Sequence, residues 1–125
     1  MIRTLIVDDS RLFRERLKAF LAAHPEVEVV GEAGDGQAAL SKARELKPDV
    51  VLMDVKMGGM NGLSTTEQLR RELPDIKVII LSLYNVEAYR QAAEALGASA
   101  YVAKKDLLDE LLPAMRRVAQ SNQSA

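Results

Sequence analysis

The chain has 125 residues, the size of one domain, and 48% of them are apolar, enough for one continuous core. Its 17 basic and 18 acidic side chains nearly cancel, and nothing in that balance suggests a nucleic-acid footprint. There is no cysteine, which excludes disulfides and thiolate metal sites, and no stretch approaches the roughly 20 apolar residues of a membrane span. The opening run Ile2-Arg3-Thr4-Leu5-Ile6-Val7 is too short for a signal peptide. A soluble, cytoplasmic, one-domain protein is expected, with residues 1–120 as the domain and 121–125 as a polar, frayed tail.

Strand and helix patterns alternate along the chain. Leu5-Ile6-Val7 reads as a short buried strand. Phe13, Leu17, Phe20 and Leu21 then share one helical face, and Pro25 marks the end of that helix. Val27 to Val30 is strand-like, and Gly34-Asp35-Gly36 is a turn whose aspartate is placed to cap the next helix. That helix carries Ala39, Ala43 and Leu46 and stops before Pro48. Val50-Val51-Leu52-Met53 is an unbroken apolar run, as expected of a strand covered on both faces. A glycine-containing loop follows, then a helix with Leu63, Leu69 and Leu73 that ends at Pro74. Val78-Ile79-Ile80-Leu81 is again wholly apolar. Val86, Tyr89, Ala93 and Leu96 predict a fourth helix, stopped by Gly97. Ala100 to Ala103 is the last strand, and Asp106 is placed to cap a final helix with Leu108, Leu111, Leu112, Met115 and Val118. Pro113 inside that helix is expected to kink or loosen it.

Five strands alternating with five helices predict an α/β fold: a flavodoxin-like, doubly wound parallel sheet with strand order 2-1-3-4-5. Sites in such sheets form beyond the carboxyl ends of the strands. Strand 1 ends in Asp8-Asp9, strand 3 in Asp54 and strand 4 in Ser82, and strand 5 stops just before Lys104. Three gathered carboxylates repel one another, and a divalent cation relieves the repulsion. With oxygen ligands only, Mg²⁺ fits best. A carboxylate can also attack a phosphoryl group, and phosphoryl transfer asks mainly for positioning and charge neutralisation. Asp54, alone at the end of a central strand, is the candidate nucleophile, with Asp9 and Asp54 on the metal and Lys104 and Ser82 as neutralising groups. Taken singly, each has a plain alternative: a helix cap for Asp8-Asp9, a turn for Asp54 or Ser82, a solvated pair for Lys104-Lys105. His24 reads as a surface residue, and the Met57/Met60 pair as loop packing.

The run Leu5-Ile6-Val7-Asp8-Asp9-Ser10, the segment Met53 to Gly62, Leu81-Ser82 and Tyr101-Val102-Ala103-Lys104 together resemble a response-regulator receiver domain of the CheY-like type. The resemblance implies a phosphorylation switch of a two-component system, not an enzyme in its own right. Asp54 would accept phosphate from a sensor histidine kinase. Asp9 and Asp54 would bind Mg²⁺ directly, the backbone carbonyl of Lys56 would be a further ligand, and Asp8 would act through water. Ser82 and Lys104 would contact the phosphoryl oxygens, and Tyr101 matches the aromatic switch position. Its plain alternative is a strand residue packing on the last helix. Lys56 and Tyr84 match positions that modulate self-dephosphorylation, and their bulk predicts slow loss of phosphate.

Gly58 and Lys105 stand where many receivers have proline, and the isomer of the Lys104-Lys105 bond stays open. With Gly97-Ala98-x-Ala100-Tyr101, this pattern looks more like the subfamily that carries a LuxR- or NarL-type DNA-binding region. DNA contact would then belong to an output domain outside this chain, homodimerisation is possible, and no membrane partner is expected. The rival reading is a small Mg²⁺-dependent phosphatase or phosphotransferase with an aspartate nucleophile. That chemistry needs an acid/base aspartate two residues after Asp54, where Lys56 stands.

Overall fold

All five strands lie parallel in one sheet of order β2-β1-β3-β4-β5. In chain order the elements are β1 (Ile2–Val7), α1 (Arg11–Ala22), β2 (Val27–Ala33), α2 (Gly36–Leu46), β3 (Val50–Val55), α3 (Asn61–Glu72), β4 (Lys77–Ser82), α4 (Glu87–Ala95), β5 (Ala100–Ala103), a 3-10 turn (Lys104–Asp106) and α5 (Leu107–Ser121). This computed structural model describes residues 1–55, 61–83 and 87–121.

The pleat explains the unbroken apolar runs. Successive side chains on a strand point to opposite faces, so a strand covered on both sides needs apolar residues at every position. Val51, Met53, Val55, Val78 and Ile80 pack in one cluster with Ala39, Ala43, Leu63, Leu69 and Ala93 of α2, α3 and α4. Val50, Leu52, Ile79 and Leu81 pack in the other with Leu17 and Leu21 of α1 and Leu111, Met115 and Val118 of α5. Among the described residues, no helix is long and apolar enough to cross a membrane.

Helix ends follow local chemistry. Ser10 caps α1 by accepting from the Phe13 N–H, and Asp35 caps α2 by accepting from the Ala38 N–H. After α4, Gly97 takes φ +105°, the Gly97 N–H donates to Glu94 and the Ala98 N–H to Ala93. This pairing closes the helix in a Schellman motif, and the left-handed backbone is one that glycine adopts without a Cβ penalty.

The structure differs from expectation in two elements. Strand β2 continues past Val30 to Ala33, and its register with β1 slips between Thr4–Val29 and Leu5–Gly31. The slip is a bulge that absorbs one residue and lets an edge strand pass through glycine. At Gly31 an added Cβ would stand 2.8 Å from Leu46 Cδ1, so the glycine also admits α2. In helix α5, Leu108, expected on the apolar face, is 73% exposed, and the helix continues through Pro113, which is exposed. The bond lost there would have gone to the carbonyl of Asp109, an exposed residue, so water can replace it.

Candidate functional site

Strand register brings the candidate residues together. Val7 pairs with Met53, so Asp8, one step on, stands level with Asp54. Asp54 pairs with Leu81, Val55 with Ser82, and Ser82 with Ala103, which precedes Lys104. Asp54 is in phase with Val50 and Leu52, while Asp8 and Lys104 follow in phase with Ile6 and Val102, all of the α1/α5 face. Ser82 is in phase with Ile80, on the same face as Tyr101. Asp8, Asp54 and Lys104 on one side and Ser82 and Tyr101 on the other thus approach the strand ends from opposite faces of the sheet.

One carboxylate oxygen each of Asp8, Asp9 and Asp54 lies within 4.8 Å of the others. The Lys104 ammonium sits 2.7 Å from Asp54 Oδ1 and 3.2 Å from Asp8 Oδ2, and 4.0 Å over the centre of the Phe13 ring. The Asp8 and Asp54 side chains are 2% and 6% exposed and that of Lys104 is 15% exposed, so solvent screens these three charges weakly, whereas Asp9 is exposed. Burial pushes the Asp54 carboxyl above the ordinary aspartate range; Lys104 pulls it back down, and the charges of Asp8 and Asp9 push it further up. Asp8 Oδ1 also accepts from the Ser10 N–H at 2.7 Å, which shapes the turn into α1. The donor set fits a hard cation: three carboxylates converge, there is no cysteine in the chain, and the single histidine, His24, lies past the far end of α1.

Ser82 is fully buried, and Tyr101 is 6% exposed with its ring turned into the core. Tyr101 does not pack on the last helix. It meets Tyr89 of α4 edge-on, with ring centres 6.4 Å apart, and the Arg90 guanidinium stands 5.5 Å from its centre. Pleat phase decides this, since α5 covers the other face. The Lys104-Lys105 peptide bond is trans. Lys56, Tyr84, Met57, Gly58 and Met60 lie outside the described residues.

Three contributors escape a reading of sequence alone. Phe13 looks like a core residue of α1, yet its ring also lies under Lys104. Arg14 donates to the Asp8 carbonyl. Gly62 opens α3 against the strand that carries Asp54: an added Cβ would stand 2.8 Å from the Asp54 carbonyl oxygen and 2.6 Å from Val55 Cγ2. A glycine in the segment after Asp54 was visible, but not the backbone that it approaches.

Comparison with known proteins gives a uniform result. The family model of the response regulator receiver domain matches residues 4–116. The chain is 45% identical over 118 residues to the response regulator GacA of Pseudomonas viridiflava, covering 94% of this chain and 55% of that protein. It is 41% identical over 119 residues to the transcriptional regulatory protein DegU of Brevibacillus brevis, covering 95% of this chain and 50% of that one. It therefore spans about half the length of these curated relatives. Among solved structures, the receiver domain of the putative response regulator NarL from Mycobacterium tuberculosis superposes with a TM-score of 0.86 at 33% identity, over 95% of this chain and 96% of that one. A LuxR-family two-component response regulator from Aurantimonas superposes with a TM-score of 0.90 at 30% identity, over 97% and 86% of the two chains.

Proposed function

The chain belongs to the response regulator receiver domain family, and from that premise we propose that Asp54 is its phosphoacceptor. A receiver of two-component response regulators is a phosphorylation-dependent switch, and the relatives are regulators, not enzymes of metabolism. The carrying observation is a carboxylate at the end of the central strand, its side chain 6% exposed, 2.7 Å from an ammonium and within 4.8 Å of two further carboxylates. The rival phosphatase reading lacks its acid/base residue at Lys56 and is not favoured.

In this reading an Asp54 oxygen attacks the phosphorus of the donor, a P–O bond to the aspartate forms, and the bond to the leaving group breaks, its electron pair going with that group. From acetyl phosphate the leaving group is acetate; from a sensor histidine kinase it is an imidazole nitrogen. Lys104, already against Asp54, neutralises a phosphoryl oxygen, and the Ser82 hydroxyl donates to another. Asp9 and Asp54 would hold Mg²⁺, with Asp8 acting through water, and the ion would supply positive charge to the transferring phosphoryl group. The domain in this proposal is residues 1–120, acting in the cytoplasm. DegU is named a transcriptional regulatory protein. Transcription is accordingly the proposed outcome, through an output region outside the matched half and with homodimerisation as a route. The test is incubation with acetyl phosphate and Mg²⁺, borohydride trapping and peptide mass spectrometry. One label on the peptide of Asp54, dependent on Mg²⁺, is expected; a label elsewhere, with Asp54 unmodified, overturns the assignment.

The switch is proposed to run through Ser82. Its hydroxyl moves toward the phosphate, and the space it leaves on the α4 face changes the packing of Tyr101, Tyr89 and Arg90. Ser82→Ala should leave Asp54 open to modification while uncoupling α4. Amide NMR shifts of residues 87–103 should move on beryllofluoride loading in the wild type and stay near their unloaded positions in the variant. Wild-type shifts in the variant would remove Ser82 from the coupling.

A further inference from the structure

Asp8 is held at three points. Its N–H donates to the Ala33 carbonyl at 3.0 Å, its carboxylate accepts from the Ser10 N–H, and its own carbonyl accepts from Arg14 Nη1 at 2.6 Å. Arg14 reaches that carbonyl from the first turn of α1 with a side chain only 18% exposed. Its Nε donates to Glu32 Oε1 at 2.8 Å, and the other oxygen of Glu32 takes Lys18 Nζ at 2.5 Å. Glu32 lies on the edge strand β2, in register with Ile6. A guanidinium held at two of its nitrogens has a set plane, and its N–H groups point in set directions.

The carbonyl that Arg14 grips belongs to the peptide plane joining Asp8 to Asp9. That unit is planar and turns as one body. Turning it about the Asp8 Cα–C bond would move the Asp9 Cα, and with it the third carboxylate of the cluster, relative to Asp8 and Asp54. The plane's orientation therefore decides whether three oxygens from three residues meet at one point.

We propose that Arg14, oriented by Glu32 and Lys18, is a positioning residue of the phosphorylation site: it fixes the Asp8-Asp9 peptide so that the three carboxylates can share one cation. The inference rests on the Mg²⁺ reading above. It makes a prediction opposite in sign to simple electrostatics. Arg14 is a positive charge beside a cation site, so as a charge alone it weakens Mg²⁺ binding and its removal should tighten it. As a positioning residue its removal should loosen binding, as the loss of groups that orient metal ligands does.

Mg²⁺ is titrated into the wild type, Arg14→Met, Arg14→Lys and Arg44→Gln, followed by calorimetry and by the amide shifts of residues 8–10. Arg44 pairs with Glu72 between α2 and α3 and serves as a control for loss of a surface ion pair. Arg14→Met and Arg14→Lys should bind Mg²⁺ about tenfold more weakly or worse, and Arg44→Gln should match the wild type. Lysine keeps the charge but cannot span Asp8 and Glu32 with a planar fork, so Arg14→Lys decides the matter if Arg14→Met does not fold. Affinity equal to or tighter than wild type in the folded variants would falsify the positioning role. A wild type that binds no Mg²⁺ would instead remove the metal reading on which the inference stands.

Discussion

Asp54→Asn should lose the acetyl phosphate label completely and, in Mg²⁺-free buffer at neutral pH, should melt a few degrees above the wild type. The loss follows from chemistry, since an amide oxygen does not form the acyl phosphate. The gain follows from the site's electrostatics. Burial is the largest influence on Asp54 and raises its pKa in the folded state; Lys104 only partly offsets it, and Asp8 and Asp9 add to it. Between the unfolded value, near 3.9, and the higher folded value, the native state binds more protons than the unfolded one. Stability therefore falls as pH rises through that window, and above it the ionised carboxylate exerts its full destabilising effect. Asparagine removes the titration, so the variant's advantage should be present at neutral pH and vanish below about pH 4. Thermal melts of both proteins across pH check this, and equal melting temperatures at neutral pH would count against it. A residue that lowers stability while enabling reaction is an expected property of an active carboxylate.

Lys104→Ala should have the largest effect of any single change considered for this site. Its ammonium contacts two carboxylates whose side chains are 6% exposed or less. Removing one partner of a buried ion pair leaves charge uncompensated in a poorly solvated place, at a cost of about 3–5 kcal/mol. Loss of the Phe13 contact adds to this. Two manipulations should restore stability: adding Mg²⁺, which takes over charge neutralisation, and adding Asp54→Asn, which removes one of the stranded carboxylates. Urea melts of the wild type, the two single variants and the double variant form the cycle, and Asp54→Asn should stabilise the Lys104→Ala background by more than it stabilises the wild type. An equal effect of Asp54→Asn in the two backgrounds would show that Lys104 and Asp54 are not coupled. Phosphoryl acceptance should also slow, by about 10²–10³, as when a charge-stabilising donor is removed elsewhere. That loss should persist after Mg²⁺ has restored the fold.

The order of elements and the strand-end positions of Asp8, Asp9, Asp54, Ser82 and Lys104 were legible in the linear sequence because each depends on short-range pattern. Runs such as Val50-Val51-Leu52-Met53 and Val78-Ile79-Ile80-Leu81 are apolar at every position since both faces are covered, and turns and caps lie within a few residues of the groups they bond. The alternation of such units leaves few topologies, and the strand-end rule then locates the site. Other features depended on partners distant in sequence. The end of β2 was hidden because an edge strand is set by backbone pairing with β1, which accepts Gly31 and Glu32 as readily as valine. The continuity of α5 through Pro113 depended on which side of the helix faces water. The side of the sheet on which Tyr101 lies depended on pleat phase and on which helix covers that face. Arg14 gave no local sign of its role, because its partner Glu32 is 18 residues away on another strand and the group it holds is a backbone carbonyl. Composition and periodicity determined which residues reach the strand ends; only the packed structure decided how they are oriented there, because orientation is set by contacts between segments that meet only after folding.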